Sequence, residues 1–154
     1  MSTKKRLLTI ITLLLVITSS CLRDKPCVLE GTRWKLVGIV DSKTEELREL
    51  EPKNCLLCYT IRFARGNTFE AVSSTNTLTG PYELKGNGLA INWLTRSHNS
   101  EAGDGNLFNA PFVHFGFNAL FLNGDELKMH FKIDDEVENI EIREGYLLFN
   151  RLNL

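Results

Sequence analysis

The segment FNALFLNGDELKMHFKI, Phe117 to Ile133, decides the class of fold. In its second half Leu127, Met129, Phe131 and Ile133 alternate with Lys128, His130 and Lys132, the period of two that belongs to a half-buried strand and not to a helix. Asn123-Gly124-Asp125 stands before that half, and Asn-Gly readily takes the positive φ angles of a tight hairpin turn. With Phe117–Leu122 on the near side of the turn, the segment predicts an antiparallel hairpin with one apolar face.

The same pattern runs back to Gly31. Trp34, Leu36, Gly38 and Val40 alternate with Arg33, Lys35, Val37 and Ile39 in Thr32–Asp41, and Tyr59, Ile61 and Phe63 repeat the period. Arg65-Gly66-Asn67 turns the chain into Thr68–Ser73, where Phe69 and Ala71 share a face. Leu78, Gly80, Tyr82 and Leu84 form another set, and Leu89, Ile91 and Trp93 follow the turn at Lys85-Gly86-Asn87-Gly88. Asn139–Arg143 and Gly145–Leu152 predict a last pair around Glu144-Gly145. Trp34 and Trp93 both sit at alternating strand positions and are expected in the core.

Two stretches break the pattern. Asp41–Asn54 is polar, with Leu47 and Leu50 spaced for one helical turn before Pro52. Thr95–Pro111 is longer and predicts a short helix from Gly105 to Ala110, limited by Pro111. About eight or nine short strands with one short helix predict an all-β, mainly antiparallel fold, either a small barrel or a strongly bent sheet. A chain of 154 residues with 43% apolar content suits a single domain.

Before the strands the chain reads as an export signal: basic Lys4-Lys5-Arg6, apolar Leu7–Ile17, then Thr18-Ser19-Ser20-Cys21. As a helix the apolar core spans about 16 Å, roughly half of a bilayer's ~30 Å of hydrocarbon, so a permanent transmembrane anchor is not predicted. The run ending at Cys21 resembles the bacterial lipobox, with Thr18 and Ser20 where Leu and Gly or Ala are usual. Residues 1–20 then form a signal peptide, Cys21 carries the lipid, residues 21–29 are a tether and residues 30–154 the β domain. The alternative is a secreted protein cut near the same place. Without residues 1–20, 15 bases face 19 acids, and no basic face points to nucleic acid.

With Cys21 lipidated, Cys27, Cys55 and Cys58 remain, which allows one disulfide and three pairings. Closeness along the chain favours Cys55 with Cys58. A redox dithiol of that spacing wants a helix N-terminus to lower a thiol pKa, whereas this motif leads into a strand and reads as a staple.

With these pieces placed, Leu29 to Leu152 resembles the META domain family, the HslJ-like domains of bacterial envelope lipoproteins. The matching residues are Leu29-Glu30-Gly31-Thr32-Arg33-Trp34-Lys35-Leu36, Asn76 with Gly80 and Tyr82, Thr95, Gly124-Asp125-Glu126-Leu127, and Gly145-Tyr146-Leu147-Leu148-Phe149. The resemblance implies a META-like antiparallel β barrel, an envelope location, and neither an established enzymatic activity nor a cofactor. Ser74-Thr75 stand before Asn76 where the family often has Gly-Cys, so no disulfide is carried over from it.

Candidate site residues each have a structural reading beside the functional one. Asn76 and Tyr82 offer an amide and an aromatic edge for a ligand or partner rim, while turn formation and inward packing explain them as well. His98, Glu101 and Asp104 share one loop and complete the candidate rim. Their spacing fits no EF-hand, and no metal is predicted. His114 and His130 have no identifiable partners. No Gly-x-Ser-x-Gly elbow or phosphate-cradling loop occurs, and Asp134-Asp135 sit in a turn.

The sequence thus predicts a lipid-anchored, non-catalytic binding or structural module of the bacterial envelope. Its expected site is the outer membrane facing the periplasm, because Leu22-Arg23-Asp24-Lys25 carries no acidic run. Its expected partner, an unidentified protein or another envelope component, would meet the long loops Asp41–Asn54 or Thr95–Pro111. The alternative is a lipocalin-like carrier of a small apolar ligand, and the third reading is an unrecognised hydrolase or redox protein.

Overall fold

Strands β9 (Phe117–Asn123) and β10 (Glu126–Lys132) form the hairpin anticipated from the Asn-Gly turn, with Leu127 opposite Leu122 and Gly124 at a φ of 61°. The structure is a computed structural model that describes residues 28–113, 117–133 and 141–153. The signal segment, Cys21, Cys27, His114 and Asp134-Asp135 lie outside the described residues. Leu127, Met129, Phe131 and Ile133 are all buried, as the alternation requires.

The hairpin extends in both directions. On one side β9 meets β7 (Gly88–Ala90), which pairs with β6 (Glu83–Lys85). On the other, β10 meets β11 (Glu144–Arg151), and β11 pairs with β1 (Arg33–Asp41), so the first and last strands are neighbours at the middle of the sheet. From β1 the order continues through β3 (Thr60–Ala64), β4 (Thr68–Val72), β5 (Thr77–Pro81) and β8 (Thr95–Arg96). Every pairing is antiparallel, and these ten strands curl into a half-barrel. An eleventh, β2 (Leu47–Arg48), pairs with β1 off this path. The sheet is therefore the bent alternative, with edges at β6 and β8 that are short, one of the ways a sheet limits unwanted pairing.

Several elements differ from the sequence reading for identifiable reasons. The Leu78–Leu84 set is split between β5 and β6, because Pro81 has no N–H to continue a ladder and Tyr82 turns its own N–H to the Asn67 carbonyl at 2.8 Å. Leu47 lies in a strand and not in a helical turn. It sits over Gly38, where a Cβ would come within 2.5 Å of the Leu47 side chain. Glu141–Arg143 is not a strand, since both edges of β11 are already taken by β10 and β1. Trp34 is in the core, but Trp93 is 59% exposed. The strand through Leu89 stops at Ala90, and the Trp93-Leu94 backbone crosses Gly80 so closely that a Cβ there would lie 2.6 Å from the Trp93 carbonyl, an approach only glycine permits.

Helix α1 (Gly105–Val113) outruns the predicted Ala110 and keeps Pro111 inside. Proline costs one backbone hydrogen bond in a helix interior. Here burial of Leu107, Phe108, Ala110 and Phe112 against the sheet outweighs that loss, and the Pro111 carbonyl takes a hydrogen bond from Asn118 Nδ2 at 3.0 Å. Phe108 meets Tyr59, Phe112 and Phe149 at ring separations of 5.5, 5.4 and 6.5 Å, and Phe112 stacks on Phe69 at 5.7 Å. These rings occupy the concave side of the half-barrel, the space a lipocalin-like carrier would need for its ligand.

Phe108→Ala is expected to destabilise the protein by about 3–5 kcal/mol through the cavity it leaves. Trp93→Ala should cost less than about 1 kcal/mol, as exposed positions do. Urea unfolding of the two variants checks the assignment of core and surface.

Candidate functional site

The turn between β4 and β5, Ser73-Ser74-Thr75-Asn76, closes around a single carboxylate. Glu101 accepts hydrogen bonds from Ser73 Oγ at 2.7 and 2.9 Å, Ser74 Oγ at 2.6 Å, Thr75 Oγ1 at 3.2 Å and Asn76 Nδ2 at 2.6 Å. Asn109 Nδ2, from the middle of α1, donates to the same carboxylate. Its Oδ1 is a buried acceptor with no hydrogen-bond partner among the described residues. Partial burial pushes the Glu101 carboxyl up, but the donors Ser74, Asn76, Ser73 and Asn109 together outweigh it and hold the group below the usual glutamate range. Gly105 belongs to this nest, because a Cβ there would lie 2.1 Å from Glu101 Oε2.

Asn76 is buried, and both ends of its amide are engaged. Oδ1 accepts from Ser97 Oγ at 3.0 Å and the Asn99 N–H at 2.8 Å, while Nδ2 also donates to the Asn99 carbonyl at 2.8 Å. It therefore clamps two loops together. Tyr82 is likewise buried, edge-on to Phe63 at 5.1 Å, because its side chain falls on the inner face between β5 and β6. In both, the local backbone turns the side chain inward.

Asp104 makes the second junction. Its carboxylate is buried, accepts the Glu51 N–H at 2.8 Å and pairs with Arg48 at 2.8 Å, and its own N–H donates to the Glu51 carbonyl at 2.9 Å. Arg48 also pairs with Glu141. The Tyr59 hydroxyl donates to the same Glu51 carbonyl, and burial, then the negative charge of Asp104, push that phenol up to about 12. Gly103 is required here: it takes a φ of 52°, and a Cβ would meet the Glu51 carbonyl oxygen at 2.1 Å. The two long loops, residues 41–54 and 95–111, thus meet on one side of the molecule. His98 is exposed on the second loop, while Asp104 is committed to the first. Among the described residues no group of three or more His, Cys, Asp or Glu side chains is placed to hold a metal ion.

A disulfide joins Cys55 to Cys58 just before β3. Lys35, in β1, reaches under this loop, and its ammonium donates to the carbonyls of Cys55 at 2.8 Å, Leu56 at 3.4 Å and Cys58. Burial holds the Lys35 ammonium below the usual lysine range. Sequence reasoning named Glu101 and Asp104 but missed Ser73, Asn109, Arg48 and Lys35. Their partners are 28, 8, 56 and 20 to 23 positions away, and no local pattern signals such pairings.

Chemically the Glu101 nest is a pinned anion. Its acceptor sites are filled by protein donors and Ser73 is fully buried, so the carboxylate holds three segments together. Glu101→Ala is expected to cost about 3 kcal/mol, the loss of charged hydrogen bonds plus the donors left unpaired. Because the folded-state pKa is depressed, this contribution is present above the unfolded glutamate pKa of about 4.3 and is lost as pH falls from there through the lower folded value. Unfolding midpoints should therefore drop more steeply on acidification in the wild type than in Glu101→Gln, which thermal melts across acidic pH will show.

Over 105 residues the chain is 34% identical to a protein of Tannerella forsythia named "Putative lipoprotein", a match spanning 62% of this chain and 67% of that protein. An NMR structure of a protein from Burkholderia xenovorans superposes with a TM-score of 0.57, covering 88% of this chain and 96% of that one at 15% identity, a likeness of fold alone. No protein-family profile matches the chain. The chain belongs to the family of the Tannerella forsythia lipoprotein.

Proposed function

We propose that this protein is a lipid-anchored, META-like (HslJ-like) module of the bacterial envelope, held by an acyl group on Cys21 at the outer membrane facing the periplasm, and that it acts by contacting another envelope protein. The observation that carries the reading is the clasp at Asp104, which joins the two long loops into one face through Arg48 and Glu51. A loop pair fixed in this way is pre-organised, so a partner need not supply the free energy to order it. The family relationship supports the anchor, and the basic, apolar and small-residue order of Lys4 to Cys21 supports its position. Among the described residues no helix is long and apolar enough to cross a membrane. The META-like reading draws on the Trp34, Asn76 and Tyr82 motifs together with the half-barrel. Ligand carriage within the sheet is disfavoured by Phe108 and Phe112, which fill the concave side.

A photo-crosslinking side chain placed at Thr44 or at His98, both exposed, is expected to capture the same envelope protein in intact cells. The same probe at Lys85, near the β6 edge, should not. Identical capture from all three positions, or from none, would overturn the loop-face reading. Intact mass of the mature chain reads the acyl group on Cys21 independently.

A further inference from the structure

We infer that the disulfide loop Cys55-Leu56-Leu57-Cys58 is a membrane-contact finger, which sets its two leucines into the interfacial layer of the bilayer that carries the Cys21 lipid. The inference rests on the anchored reading above. Leu56 and Leu57 are 87% and 81% exposed, yet they are held firmly. The disulfide closes the loop on itself, and the Lys35 ammonium gathers the carbonyls of Cys55, Leu56 and Cys58 on its inner side. The remaining carbonyl, of Leu57, accepts from Thr60 Oγ1 at 3.3 Å, and the Cys58 N–H points to Cys55 Sγ at 3.1 Å.

All four carbonyls of the finger therefore have donors within the protein. A loop bound for water needs no such provision, because water would satisfy them. A loop bound for an apolar layer does, since a carbonyl there must bring its own donor. A two-leucine knob is also far smaller than the surface a stable protein interface buries, whereas a bilayer requires no complementary shape.

Charge and reach agree with this occupant. Arg33, Arg62 and Glu70 line the groove beside the leucines, and with Glu70 bound to Arg62 at 2.9 Å the lining keeps a net charge of one positive, that of Arg33, to meet an anionic headgroup. The Gly31 N–H donates to Phe63 at 2.8 Å, which sets the start of the domain three residues along β3 from Thr60, a distance of about 10 Å. The seven residues from Leu22 to Val28 reach about 25 Å at most, so the finger lies within range of the same bilayer.

The test uses the full chain after export, carrying Leu57→Trp in a Trp93→Phe background, on vesicles of phosphatidylethanolamine and phosphatidylglycerol with brominated acyl chains. The introduced indole is expected to shift to the blue and lose on the order of half its emission. The Trp93→Phe protein, whose remaining Trp34 is buried, should change little. A chain that is acylated by intact mass and vesicle-bound, but shows neither shift nor quenching, would overturn the finger and leave the anchor standing. A chain found without acyl groups would refute the anchor, and quenching on added vesicles would still decide the finger. As a second measurement, Leu56→Ser with Leu57→Ser in the Cys21→Ser chain should weaken vesicle partition on the order of tenfold. Unchanged partition, or crosslinking of position 57 to a protein in place of lipid, would count against the inference.

Discussion

An open, curled sheet leaves one apolar face that something must cover, and the structure depends on how helix α1 meets that demand. Phe108 and Phe112 enter the concavity and touch rings contributed by β3's approach, β4 and β11. Each buried ring contributes a few kcal/mol on the usual area scale, enough to hold a helix that contains Pro111 and that would be marginal in isolation. The helix is thus a product of tertiary packing, and its local sequence is only permissive.

Apolar contact alone does not fix the angle at which such a helix lies, because it is non-directional. Two carboxylates supply the direction. Glu101 ties the approach to α1 to the β4–β5 turn and, through Asn109, to the helix itself, while Asp104, just before the helix, is tied to the loop after β2. Both are charged groups taken partly or wholly out of water, and each is supplied with several donors, the condition under which burying a charge is tolerable. The face where the loops meet is consequently held by directional contacts as well as by the core beneath it.

Alternation alone made much of the sheet legible. The Phe117–Ile133 hairpin, the Trp34 strand and the Arg65-Gly66-Asn67 turn are local features, and period two together with turn chemistry identifies them. What stayed hidden depends on distant backbone. Trp93 continues an alternating series yet leaves the sheet, because Gly80 lets the Trp93-Leu94 backbone cross over it; β2 and β8, at two residues each, are too short to show a period. The candidate site was legible to the same degree. Glu101 and Asp104 were recognisable as acids in a long loop, but a carboxylate's role is set by its donors, and those come from Ser73, Asn109 and Arg48 elsewhere in the chain.

The pairing of β1 with β11 also sets an order of events. Trp34 lies opposite Arg151 and Ile39 opposite Leu147, so the centre of the sheet cannot form until β11 is present. Contacts of such long sequence separation form late, since the intervening chain must first be brought together. A growing chain that has not yet reached β11 therefore lacks the central strand pair. Among the described residues, the half of the sheet that ends at β10 and the half that begins at β1 are joined only through β11, so one strand decides whether the two halves close into a single sheet.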